Sequence, residues 1–268
     1  MSKGIGPSLI ILRVTNTPTL MPDLFAAALA LPGLWWLTIA IIAAGVVRGF
    51  AGFGSAMIIM PVAGSVLDPF VAITFLIVVE CWGPLINFRD AWRVGQRLDA
   101  LRLLGGALVG VPMGLWLLSL INPSNFGWAV SLVVLFLLVI LMTGWRYHGR
   151  IRSHTLVAVG GLGGLLGGFV GVPGPPVIIM YMASTKSIAV IRANFLLYLL
   201  GIDILMLIIF IFSDLLNPTA VFVGLLMTPI YIIANAVGAY FFNPNAEVVF
   251  RRLAYLVIST SAISGLLM

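Results

Sequence analysis

Arg48, Glu80 and Asp203 are the ionisable residues set within or against long apolar runs of this chain. A charge at membrane depth is costly, and such residues usually pair with one another or mark a substrate path. Arg48 suits an oxyanion, which it can hold through two parallel N–H donors; its bland role is to snorkel or to pair with an acid. A carboxyl group kept from water takes up a proton more readily. That makes Glu80 and Asp203 candidate proton carriers, the alternative being static ion pairs with Arg48 or Arg192. Arg192 and Asn194 open an apolar run just after a polar turn, where they could attract or gate anions, or simply anchor the turn. Two glycine-rich stretches add the remaining candidates. One is Gly49-Phe-Ala-Gly-Phe-Gly-Ser55, which holds Gly49, Gly52, Gly54 and Ser55. The other is Gly167-Gly-Phe-Val-Gly-Val-Pro-Gly-Pro-Pro176, which holds Gly171, Pro173, Gly174 and Pro175. Glycine frees the backbone and proline removes a donor, so both stretches break helices. A helix that restarts after a break aims free N–H groups and partial positive charge at whatever faces it, which suits a small anion. The alternative is that small residues let helices pack closely.

Other polar groups carry less. Asn87 and Asn235 read as interhelix hydrogen bonds, and Trp35, Trp36, Trp92 and Trp145 as interfacial anchors. His148 and His154 share one polar connection without HxxxH, CxxC or HExxH spacing, and Cys81 is single. No metal, cofactor or catalytic residue is expected.

The elements that must position these residues follow from composition. Of 268 residues, 62% are hydrophobic and 8% charged, against about 25% charged in a soluble domain. Mean hydropathy is +1.19. One soluble core could not hide so much apolar surface. That excludes a soluble enzyme, a nucleic-acid-binding domain, a disulfide scaffold and a disordered chain. The apolar runs do not alternate with period two, which excludes a β-barrel. The fold class is an all-α polytopic membrane protein, and the net charge of +6 points to loops beside anionic lipid. Residues 1–33 form a mixed N-terminal segment with no well-formed signal peptide, expected to lie on the membrane surface; Met21 is a second candidate start. Apolar blocks follow at 34–67, 70–88, 103–121, 126–145, 155–185, 188–212, 219–242 and 248–268. As single helices, 34–67 and 155–185 would be about 50 Å long against a hydrocarbon core of about 30 Å. Both carry a glycine-rich stretch at the middle and read as broken helices.

The two breaks resemble each other. Gly49-Phe50-Ala51-Gly52-Phe53 matches Gly168-Phe169-Val170-Gly171-Val172, and Ile58-Ile59-Met60 matches Ile178-Ile179-Met180. The chain then divides into two transmembrane repeats, 34–145 and 155–268, each a broken block followed by three spans. If each broken block enters and returns on its own side, the repeats are inverted. Every Lys and Arg except Lys3, Arg13 and Arg48 then falls on one side, which the positive-inside rule makes cytoplasmic, with both termini outside. A single crossing per block distributes the cations less unevenly. Inverted repeats with helices broken near the midplane are a common build of secondary transporters.

At the breaks the sequence resembles a known family. Gly49-to-Pro61 (GFAGFGSAMIIMP) and Gly161-to-Tyr181 (GLGGLLGGFVGVPGPPVIIMY) look like the paired signatures of the TauE/SafE family of sulfite exporters, and the resemblance spans about 34–268. One departure is that Val172-Pro173-Gly174-Pro175-Pro176 interrupts what is often a run of glycines in the second signature. The resemblance implies a permease of the bacterial inner membrane that moves sulfite or an organosulfur anion outward. Joined to the residues, it predicts a proton-coupled secondary transporter whose partners are a small sulfur anion, protons and lipid, and not nucleic acid. A passive anion channel is the alternative. A membrane-embedded lipid diphosphate phosphatase is a weaker one, since the second break carries no Arg, Ser or acid.

Overall fold

The computed structural model describes residues 33–144, 151–182, 184–241 and 247–268. Expectations for residues 1–32, and for Trp145, Arg146, His148 and Arg150, lie outside the described residues. Every regular element described is helical. The first long block is α1 (Leu34–Ala51) and α2 (Ser55–Val66). The break falls where Gly52 and Gly54 take φ of +77° and +92°, a region that glycine enters without steric cost. The fifth block is α8 (Ser153–Val170) and α9 (Gly174–Tyr181), separated at Gly171 with φ +75° and Pro173. Between them come α3 (Pro69–Glu80), α4 (Trp82–Ile86), α5 (Phe88–Val94), α6 (Arg97–Leu120) and α7 (Phe126–Met142). After them come α10 (Ile188–Phe212), α11 (Pro218–Phe241) and α12 (Glu247–Leu267).

Seven stretches of helix are long and apolar enough to cross a membrane among the described residues. Their outward faces carry large apolar side chains such as Leu108, Val109, Trp116, Phe136 and Phe212, the pattern of helices solvated by lipid. Trp35 and Trp36 are exposed near the start of α1. Trp92 is exposed too, with the Arg97 guanidinium 4.7 Å from its ring. The block expected at 103–121 begins earlier, at Arg97, because the α-helical hydrogen bonds continue through polar Asp99 and Arg102. Apolarity marks what lipid covers, not where a helix starts.

The outer ends of α1 and α2 lie side by side. A methyl added at Gly33, before α1, would fall 2.6 Å from Val66 Cγ1 at the end of α2. The two helices therefore form a hairpin whose outer ends lie together. Phe126 at the start of α7 packs on Gly64, and Ser65 lies against Met268, so these ends gather on one side.

The helices approach most closely along glycine. On α6, a side chain at Gly106, Gly110 or Gly114 would collide with backbone of α8 at Val157, Gly161 or Leu165. On α1, a side chain at Gly49 would collide with Asn235 on α11, and one at Gly238 with Val46. Both pairs run parallel. Within a bilayer, such contact supplies the van der Waals packing that apolar association in lipid lacks. The second block, 70–88, holds one apolar stretch long enough to cross a membrane, Pro69–Ile86, with short interruptions of the helix at Cys81 and Asn87. Gly83 and Pro84 make these interruptions, and Asn87 Nδ2 donates back to the Gly83 carbonyl at 2.8 Å.

Candidate functional site

The two breaks meet around one cavity. Arg48, Phe53, Gly54, Ser55, Ala56 and Met57 line it from the first break, and Val172, Pro173, Gly174, Pro175 and Ile178 from the second. Glu80 at the end of α3, with Phe195 and Leu199 on α10, completes the wall. The space is about 30 Å³, room for about two water-sized groups.

Arg48 sits in the last turn of α1 and Ser55 starts α2. The gap between the helices lets the guanidinium fold across it, so Arg48 Nη1 donates to Ser55 Oγ at 3.0 Å. Both side chains are buried, Arg48 8% and Ser55 1% exposed. Arg48 Nη1 also lies 3.8 Å from Glu80 Oε2. That is an ion pair looser than a charge-assisted hydrogen bond of about 2.7–2.9 Å. The second carboxylate oxygen, Glu80 Oε1, is buried with no hydrogen-bond partner. Tyr231 on α11 is buried and faces Arg48, Ser55 and Glu80. Asp203 on α10 completes the group, within electrostatic reach of Glu80 and Arg48. The Trp82 indole N–H, just after the interruption at Cys81 in the second block, is buried and unpaired as well. Buried polar groups are normally satisfied, and the unpaired Glu80 oxygen beside the Arg48 guanidinium makes a site equipped for a polar guest.

The two restarts differ as donors. The first turn of α2 consists of Ser55, Ala56 and Met57, each with an N–H that has no intrahelical acceptor. The first turn of α9 contains Pro175 and Pro176, which have no N–H. Gly174 and Val177 are what remain, so the second restart has fewer donors than the first.

Some sequence candidates stand elsewhere. Gly49 packs on α11, and Gly171 packs on Met60, whose Sδ lies 2.9 Å from where a methyl would be added; both are positions of close approach, not cavity lining. Gly52 lies beside the cavity, with Arg192 Nη2 3.9 Å from the position of an added methyl. Arg192 is exposed and one turn before the wall residue Phe195. Asn194 is fully buried and committed: its amide donates to Tyr181 Oη at 3.0 Å and accepts from Gln96 N at 2.7 Å. Nearby, Lys186 bonds Asp99 and Gln96, tying the α9–α10 connection to the start of α6. Sequence reasoning missed Tyr231. Nothing distinguishes Tyr231 from an ordinary apolar-run tyrosine, but Gly83-Pro84 just after Glu80 was a readable sign of a third interruption.

No curated protein and no solved structure matches the chain. Residues 37–265 match the family described as Sulfite exporter TauE/SafE. That family consists of membrane transporters, not enzymes, and its function implies a small sulfur anion as substrate. From Leu37 on α1 to Gly265 on α12, the match takes in both helix breaks and the cavity between them, and the chain belongs to the sulfite exporter TauE/SafE family of integral membrane proteins.

Proposed function

We propose that the protein exports a small sulfur-containing oxyanion, sulfite or an organosulfonate, across the bacterial inner membrane by proton-coupled alternating access. The observation that carries this reading is that Arg48 and both helix restarts line one cavity. Arg48 supplies a fixed positive charge, Ser55 a hydroxyl, and the first turn of α2 a set of N–H donors. Gly54 and Gly174 allow the anion close to the backbone. Arg192, exposed near Gly52, draws anions toward the site. Glu80 and Asp203 are the proton carriers.

For an anion to enter from one side and leave on the other, the walls around the cavity must part. The two repeats, 34–145 and 155–268, are the bodies that move. Their support is reciprocal packing: α6 of the first rests on the broken helix α8 of the second, and α11 of the second on the broken helix α1 of the first. The hairpin of α1 and α2 favours the inverted arrangement, with the arginine-rich connections cytoplasmic and the termini outside.

The test is sulfite flux in proteoliposomes under an imposed pH gradient. Saturable flux that the gradient drives, and that Arg48→Ala abolishes, supports the reading. Flux that follows only the membrane potential, at channel rates, overturns the coupling.

A further inference from the structure

We infer that Glu80 is a built-in competitor of the transported anion: ionised, it holds the face of Arg48 that the anion needs, and protonated, it gives that face up. This rests on the anion-site reading above and adds how the proton and the anion are coupled.

The geometry is that of an interaction made to be exchanged. Arg48 Nη1 spends its short hydrogen bond on Ser55, at 3.0 Å, and meets Glu80 Oε2 only at 3.8 Å. Glu80 Oε1 has no partner. Both side chains line the same cavity, so an oxyanion placed against Arg48 lies next to the Glu80 carboxyl. The groups that face Glu80 are Arg48 from α1, Ser55 from α2, Tyr231 from α11 and Asp203 from α10, with Cys81 next in the chain. Among these, one fixed positive charge stands against two carboxyl groups. An added anion would be a third negative group in a water-poor space, where like charges repel strongly. A proton from water on Glu80 removes one of them. The carboxyl then becomes an O–H donor beside the anion and no longer an opposing acceptor. Each anion that binds thus brings a proton to Glu80, and each anion that leaves releases it.

The experiment measures sulfite affinity of the purified full-length protein from pH 5 to pH 8, for the native chain and for Glu80→Gln. Comparing the two at each pH cancels the titration of sulfite itself. The expected result is that Glu80→Gln binds about tenfold or more tightly at pH 8, with the two converging toward pH 5, since one linked proton changes affinity about tenfold per pH unit. A ratio that does not vary with pH overturns the inference. So does a pH dependence that persists in Glu80→Gln and disappears in Asp203→Asn. Should Glu80→Gln fail to fold, calorimetry of the native chain in two buffers counts the protons taken up per sulfite beyond those sulfite gains alone. About one extra proton supports the inference, and none overturns it. If the native chain binds no sulfite, or Arg48→Ala still does, the anion-site reading itself is what fails.

Discussion

Arg48 Nη1 reaches across the gap between α1 and α2 to Ser55 Oγ, 3.0 Å away. A side chain on the last turn of one helix is thereby held by the first residue of the next, and the glycines between them allow the fold-back. The guanidinium is kept in the cavity without a tight carboxylate partner. Removing the serine hydroxyl frees it. Ser55→Ala is expected to weaken sulfite binding about tenfold or more, from the loss of one hydrogen bond to a charged group at about 1.5–3 kcal/mol. Titration of the purified variant checks this, and an unchanged affinity would remove Ser55 from the site.

The prolines of the second restart make a prediction of opposite sign. Pro175 lines the cavity and has no N–H. Pro175→Ala restores a donor in the first turn of α9. Favourable helix-terminus contacts are worth about 0.3–1 kcal/mol, so sulfite affinity should rise about two- to fivefold. A fall would mean that the rigidity of the turn matters more than its donors.

Asn194 separates packing from binding. Its amide joins Tyr181 to the Gln96 backbone and does not line the cavity. Asn194→Ala leaves buried groups unpaired at about 1–3 kcal/mol. The expected outcome is a lower melting temperature with sulfite affinity within about twofold of the native chain. A selective loss of affinity would return Asn194 to the anion path.

The breaks were legible because they depend on local chemistry. Gly52, Gly54 and Gly171 adopt positive φ, and Pro173 follows the last of them. The polytopic helical class was legible from apolarity alone, and Arg48 and Glu80 were conspicuous as charges against that background. What sequence could not reveal was partnership. Asn194 and Arg192 are near neighbours on one helix, yet one is locked between Tyr181 and Gln96 and the other lies exposed beside Gly52. That difference is set by how α10 packs against α6, through contacts distant in the chain. Tyr231 became part of the site for the same reason, since it reaches Arg48 only because α11 packs along α1.

The glycine seam between α6 and α8 supplies an internal control. A side chain at Gly110 would collide with the Gly161 carbonyl, whereas one at Gly105, on the same helix, would meet nothing within 4 Å. Gly110→Val should therefore lower the yield of folded protein and its melting temperature, by the overpacking cost of about 1–3 kcal/mol or more. Gly105→Ala should be neutral or slightly stabilising, since alanine is the better helix former by about 1 kcal/mol. Equal effects at the two positions would contradict the close approach.

The most direct measurement of the whole account is the shift in melting temperature of the purified protein on adding sulfite, alone and in Arg48→Ala. A ligand that binds only the folded state stabilises it in proportion to the logarithm of its saturation. The expected result is an upward shift that grows with sulfite concentration in the native chain and is absent in the variant. An equal shift in both would contradict it.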